Sequence, residues 1–324
     1  MTKILQNAQK HAMIDTEGKY VFNEIYFGAE GMTSTSAQHV SAMANVMVND
    51  IKERLVYISK MFTTTPECGD VINADKVIRG GSGYAIKLLD GREVWTGNDE
   101  PLPHEIEHIM PDYALYHMIK DTAYGFLSRG CPRGCAFCHV AAKEGRLSYK
   151  VADLSEWWSG QRNIVLCDPN ILACTDWRDL LQQLADSKAR VDINQGIDAR
   201  LLTREKVEML NKIKISTIHF AWDDYRQKDA VLRGLQCFAD HFMRKLDKGH
   251  FAQVFVLTNF YTTPAQDLER IYTLRDMGFE PYIMVYDKEH AAPFYKSLQR
   301  WVNMRAIFHK VSTFEEYNKQ LAKE

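Results

Sequence analysis

No charge of one sign dominates this chain: 40 Lys and Arg stand against 42 Asp and Glu, for a net charge of −2. A global field that would draw it to nucleic acid or to an anionic membrane is therefore missing. Apolar runs of membrane-spanning length are absent too, and the opening segment from Met1 to Lys10 lacks the apolar core of a signal peptide. Cysteine is sparse, at seven in 324 residues. An odd number with three clustered argues against a disulfide scaffold and for a reducing compartment. A cytoplasmic protein without membrane association is expected. Hydrophobic residues make up 46%, ample for a substantial core, and the length suggests two domains or one barrel with an extension.

What is present is concentrated in Cys131-Pro-Arg-Gly-Cys135-Ala-Phe-Cys138, a C-x3-C-x2-C spacing just after an apolar stretch. Structural zinc usually takes four protein ligands, often as two pairs, and no second pair follows. His139 directly follows Cys138, and neighbouring side chains rarely reach one tetrahedral ion. Three thiolates instead suit three irons of a [4Fe–4S] cube, whose fourth iron is left open to a small molecule. A non-catalytic iron–sulfur or zinc protein, with the cysteines stapling a loop, is the alternative.

From about residue 120 onward, strand-like runs alternate with helical patterns. Candidate strands are Tyr124–Ser128, Ile164–Asp168, Arg190–Gln195, Thr217–Asp223, Gln253–Asn259 and Pro281–Tyr286, short and rich in Val, Ile, Phe or Tyr. Between them, Trp177, Leu180, Leu181 and Leu184 form an i, i+3, i+4, i+7 stripe over Asp176–Ser187, and Thr203–Ile213 repeats the pattern. Thr263-Pro264 marks a helix start and Gly278 its close. Six such βα units predict a parallel, barrel-like sheet covered by helices, with active groups at the C-terminal strand ends. Residues 1–115 read as a smaller α/β domain, with a strand candidate at Leu55–Phe62 and Lys76–Arg79 leading into Gly80-Gly-Ser-Gly83. Residues 301–324 read as a closing helix and tail.

The cysteine segment, with aromatic Phe137 directly before the third cysteine, resembles the motif of the radical S-adenosylmethionine superfamily. The stretch from Pro111 through Asp198 is similar to a poorly characterised bacterial and phage group within it. The resemblance implies a partial (β/α)6 TIM-like barrel over residues 116–300 with its cluster at the mouth. It also implies an N-terminal Rossmann-like domain related in position to cobalamin-binding domains. The D-x-H-x-x-G signature that supplies a cobalt ligand is missing, so a degenerate domain without cobalamin is expected. By this resemblance Cys131, Cys135 and Cys138 hold a [4Fe–4S] cluster. The open iron chelates S-adenosylmethionine, and reductive cleavage yields a 5′-deoxyadenosyl radical that abstracts hydrogen from an unidentified substrate. A low-potential electron donor of the flavodoxin or ferredoxin type is implied as partner.

Further candidates follow from strand geometry and from the same resemblance. Period-2 alternation puts His219, Ala221 and Asp223 on one face, with Ile218, Phe220 and Trp222 on the other, and turns Asp192 and Asn194 inward. Asp168, Asn170, Gln195, Asp198, Arg200 and Asn259 sit at or beyond strand ends, where the family holds the methionyl amine, ribose and adenine. Caps and turns also favour Asp and Asn there. Backbone near Phe137 is expected to help seat the adenine. The family's Gly-Gly-Glu-like amine-binding stretch is replaced by Leu166-Cys-Asp-Pro-Asn170, which leaves Asp168 or Asn170 as acceptors. His104-Glu-Ile-Glu-His108 matches H-E-x-x-H, but Pro101, Pro103 and Pro111 bracket it and a solvated linker is the better reading. Gly80–Gly83 lacks P-loop spacing. The Lys/Arg-rich helices between Arg200 and Lys248 read as solvated faces, with no aromatic–basic interleaving to support a nucleic-acid groove.

Overall fold

The structure, a computed structural model, describes residues 13–14, 20–24, 54–60, 76–89, 92–97, 107–113, 121–246 and 251–321. His104 to Ile106 of the H-E-x-x-H match, Cys68 and most of the first forty residues lie outside them. The chain divides into two compact units, residues 1–122 with 134–143, and residues 123–133 with 144–324.

In the first unit, strands β1 (Met13–Ile14), β2 (Tyr20–Glu24), β3 (Arg54–Ser59) and β4 (Lys76–Gly80) form a sheet in that order. β2, β3 and β4 pair in parallel and β1 runs antiparallel to β2. Gly81, directly after β4, takes φ 90° and leads into the short helix α1 (Ser82–Ala85). Strands β5 (Ile86–Leu89) and β6 (Arg92–Trp95) then pair as an antiparallel hairpin.

The remaining elements follow strand β7 (Thr122–Gly125). Two short strands, β8 (Ser128–Arg129) and β9 (Tyr149–Lys150), bracket the cysteine segment and helix α2 (Val140–Glu144), and pair antiparallel. Alternation then sets in: β10 (Asn163–Leu166), α3 (Trp177–Ser187), β11 (Arg190–Ile197), α4 (Arg204–Leu210), β12 (Ile215–Ala221), α5 (Lys228–His241), β13 (Ala252–Thr258), α6 (Pro264–Asp276), β14 (Glu280–Val285) and α7 (Pro293–Asn303). Helices α8 (Arg305–Lys310) and α9 (Phe314–Leu321) end the described chain. The six expected strands are all present, with ends displaced by no more than three residues. Most displacement is at the C-terminal ends, where Asp168, Asp223 and Asn259 leave the ladder.

The six-stranded sheet has the order β14-β13-β12-β11-β10-β7, which is chain order, and the pairs from β10 to β14 run parallel. By the right-handed rule for parallel crossovers, connections that always step the same way lay the connecting helices on one face of the sheet. That face carries Ile164, Leu166, Val191, Ile193, Ile218, Phe220, Val254, Val256 and Ile283, all buried. Phe220 meets Phe238 of α5 edge-on at 4.9 Å. Burying each such side chain contributes about 1.5–3 kcal/mol. The opposite face carries the polar alternates Asp192, Asn194, Thr217, His219 and Gln253, with Tyr282 and Met284 39% and 42% exposed at the β14 end.

Local signals account for the helix ends. Thr263 Oγ1 accepts from Gln266 N at 3.3 Å while Gln266 Oε1 accepts from Thr263 N at 2.9 Å, a reciprocal cap with Pro264 in the first turn. Gly278 takes φ 86° just past the end of α6.

Candidate functional site

The cysteine segment hangs from β7 by a series of backbone anchors. Beyond Gly125, the N–H groups of Leu127 and Ser128 donate to the two carboxylate oxygens of Asp168 at 2.8 and 2.6 Å. Ser128 Oγ–H adds a third bond at 2.5 Å. Asp168 lies two residues beyond β10, so this buried carboxylate ties the exit of one strand to that of its neighbour. Its desolvation pushes its pKa up to about 7, against the pull of those donors. With three donors converging on its two oxygens, Asp168 fixes the shape of the loop.

Gly130 comes next with φ 80°, and a Cβ there would overlap the Leu147 carbonyl, so only glycine fits. Its N–H donates to Glu144 Oε2 at 3.0 Å, and Glu144 Oε1 pairs with Arg129 at 3.3 Å. Cys131 N donates to the Gly145 carbonyl at 3.2 Å. Two side-chain contacts hold the loop to the strand ends. Asn170 Nδ2 donates to Cys131 Sγ at 3.5 Å. Arg133 pairs with Asp198 beyond β11, and Arg200 Nε bonds the same carboxylate at 2.7 Å. Asp198 is buried and therefore carries two guanidiniums.

Residues 134–143, with Cys135, Phe137 and Cys138, group with the first unit. Within that segment Cys138 N–H donates to the Cys135 carbonyl at 3.0 Å, a tight turn between the second and third thiols. All six cysteines among the described residues are thiols. Those outside the segment are poor ligands: burial, with Asp168 and Asp192 nearby, pushes Cys167 up to about 12, and burial also raises Cys174 and Cys237. Among the described residues, no group of three or more His, Cys, Asp or Glu side chains is arranged to hold a metal ion.

On the polar sheet face, β11 is bulged. Between the pairs Ile193–Ile218 and Ile197–Phe220, it has Asn194, Gln195 and Gly196 where β12 has only His219. Bulges of this kind re-aim side chains next to active sites. His219 packs into the irregularity: its Nδ1 lies 2.8 Å from the Ile193 carbonyl. A carbonyl can only accept, so Nδ1 carries a proton and donates it to this carbonyl. Its ring stacks on Phe255 at 5.0 Å, and Asp192 Oδ1 lies 3.7 Å from Nδ1. Asn194 is half-buried and Gln195 exposed.

At the mouth of β12 and β13, burial pushes Asp223 up to about 6 despite the nearby Arg270 guanidinium. Asn259 takes φ 60° and its Nδ2 donates to the Tyr286 carbonyl at 2.8 Å, joining the exits of β13 and β14. Sequence reasoning reached the residue positions but missed their pairings. Arg133–Asp198 and Asn170–Cys131 join residues far apart in the chain, and only the polar character of the strand ends announced them. The bulge was signalled by Gly196 alone, a glycine inside a strand pattern.

No protein-family model matches the chain, and no curated protein matches it.

Proposed function

We propose that this protein is a radical S-adenosylmethionine enzyme, its sheet forming a partial (β/α)6 barrel and Cys131, Cys135 and Cys138 ligating a [4Fe–4S] cluster. The observation that carries the reading is the position of the segment's start, Cys131 to Arg133. It follows the first strand of a parallel sheet laid in chain order and is bonded through Cys131 and Arg133 to residues just beyond the C-terminal ends of β10 and β11. Parallel α/β sheets bind ligands at those ends. The donor set suits the group, since three thiols in one short loop are the ligands such clusters take. Metal–thiolate bonds supply the free energy that draws a loop of this kind around its metal.

When bound, the cluster supplies one electron to the sulfonium of S-adenosylmethionine, giving methionine and a 5′-deoxyadenosyl radical. The chain's own residues would orient and enclose. Asn170 Oδ1 is buried without a hydrogen-bond partner, whereas Asp168 has spent both oxygens. Asn170 is therefore the acceptor left for the methionyl ammonium where the Gly-Gly-Glu-like stretch is missing. His219 Nε2, Asn194 and Gln195 offer polar contacts beside the bulge for the nucleoside, and Asp223 a carboxylate at the next strand exit. A low-potential flavodoxin- or ferredoxin-type donor would deliver the electron. No helix among the described residues is long and apolar enough to cross a membrane.

The test is anaerobic purification, reconstitution with iron and sulfide, and addition of S-adenosylmethionine with dithionite. 5′-Deoxyadenosine detected by mass spectrometry, and lost in Cys135→Ala, is the expected result. Zinc in place of iron with no S-adenosylmethionine binding would instead identify a structural metal staple.

A further inference from the structure

Asn170 is 3% exposed and stands two residues beyond the clamp carboxylate of Asp168. Its main chain is fixed: the carbonyl accepts from Ser148 Oγ at 3.0 Å and from Ala173 N at 3.1 Å. The side chain directs Nδ2 at Cys131 Sγ, 3.5 Å away. Against a metal-binding thiolate, which only accepts, the reverse amide orientation would set a carbonyl oxygen on an anionic sulfur, so the donor faces the sulfur. This orientation leaves Oδ1 buried and unpartnered, an arrangement that costs free energy unless something in the site completes it. Cys131 is also held by its backbone bond to Gly145, so sulfur and amide are both fixed before any metal arrives.

Resting on the iron–sulfur reading above, we propose that Asn170 is a positioning residue that donates an N–H···S hydrogen bond to the Cys131 thiolate and thereby sets the reduction potential of the cluster. Reduction adds one electron, and a donor on a ligand sulfur stabilises the more negative state, raising the potential.

The experiment is an EPR-monitored redox titration with dithionite on the reconstituted full-length protein, comparing wild type with Asn170→Leu and Asn170→Asp. Leucine removes the donor without adding charge, so its midpoint should move to more negative potential. Aspartate removes the donor and adds a negative charge, and should move it further. A leucine variant with the wild-type midpoint, or a more positive one, overturns the proposal even if the aspartate variant shifts. Wild-type protein labelled with 15N in its asparagine side chains gives a second readout that needs no variant to fold. Reduced by dithionite, it should show a weak nitrogen hyperfine coupling, and absence of that coupling overturns the proposal. If wild-type protein takes up no reducible cluster, the iron–sulfur reading itself fails. If it takes up a normal cluster and Asn170→Leu leaves the midpoint unmoved, only the role of Asn170 fails.

Discussion

Asp168 illustrates how one carboxylate organises a loop at some cost to itself. Three donors from Leu127 and Ser128 converge on it, yet burial still raises its pKa to about 7. A folded-state pKa above the unfolded value means the native protein binds the proton more tightly. The stabilisation is fully present below the unfolded carboxylate range and fades as pH rises toward 7, at up to about 1.4 kcal/mol per pH unit. Urea titrations from pH 4 to 8 should therefore show a decline in the wild type that Asp168→Asn flattens. The asparagine variant should also lose about 1–3 kcal/mol, because its amide turns a donor toward a backbone N–H. A pH profile unchanged by the substitution would show that Asp168 does not titrate in this window. In the sequence, Asp168 reads as a candidate ligand contact because it follows a strand. Its true partners lie on the preceding strand's exit, and no local pattern encodes such a long-range pairing.

Helix α6 shows where element-level reading succeeds and where it stops. Its start and end were legible from Thr263-Pro264 and Gly278, since capping chemistry is local. Thr263→Ala should cost roughly 1 kcal/mol in chemical denaturation. Its buried face was not legible, because Asp267 and Arg270 share it with Ile271 and Leu274. Arg270 is fully buried and donates to the Trp222 carbonyl at 2.5 Å and the Leu257 carbonyl at 2.8 Å, as well as to Asp267. These are carbonyls near the exits of β12 and β13, so an ion pair sits where periodicity expects leucine. Asp267→Ala would strand the buried guanidinium, and a loss of about 3–5 kcal/mol is expected from equilibrium unfolding. At the sheet edge, Asn303 imitates a further strand. Ile283 N donates to its Oδ1 at 2.8 Å, and its Nδ2 donates to the Ile283 carbonyl at 3.0 Å. Asn303→Leu should uncover that edge and raise the self-associated fraction in sedimentation velocity.

At the level of the whole molecule, the hydrophobic sheet–helix core is independent of the cysteine segment. The buried side chains of β10 to β14 and their helices include none of Cys131, Cys135 and Cys138. On the iron–sulfur reading proposed above, replacing all three with alanine should abolish iron uptake while leaving far-UV circular dichroism at the wild-type level. A triple variant that fails to fold would favour the structural staple instead. The alternation of strands and helices was legible because each unit carries its own periodicity. How the cysteine loop is fastened was not, because it depends on residues brought together only by the sheet. That sheet is also laid down in the order in which it is written. During synthesis, each strand from β10 onward leaves the ribosome with its partner already made, and no strand must be held in reserve for a later insertion. Domains that emerge N-terminal end first gain most from such an order. The interval in which an unpaired hydrophobic strand can be captured by another chain is then limited to the time needed to translate one βα unit.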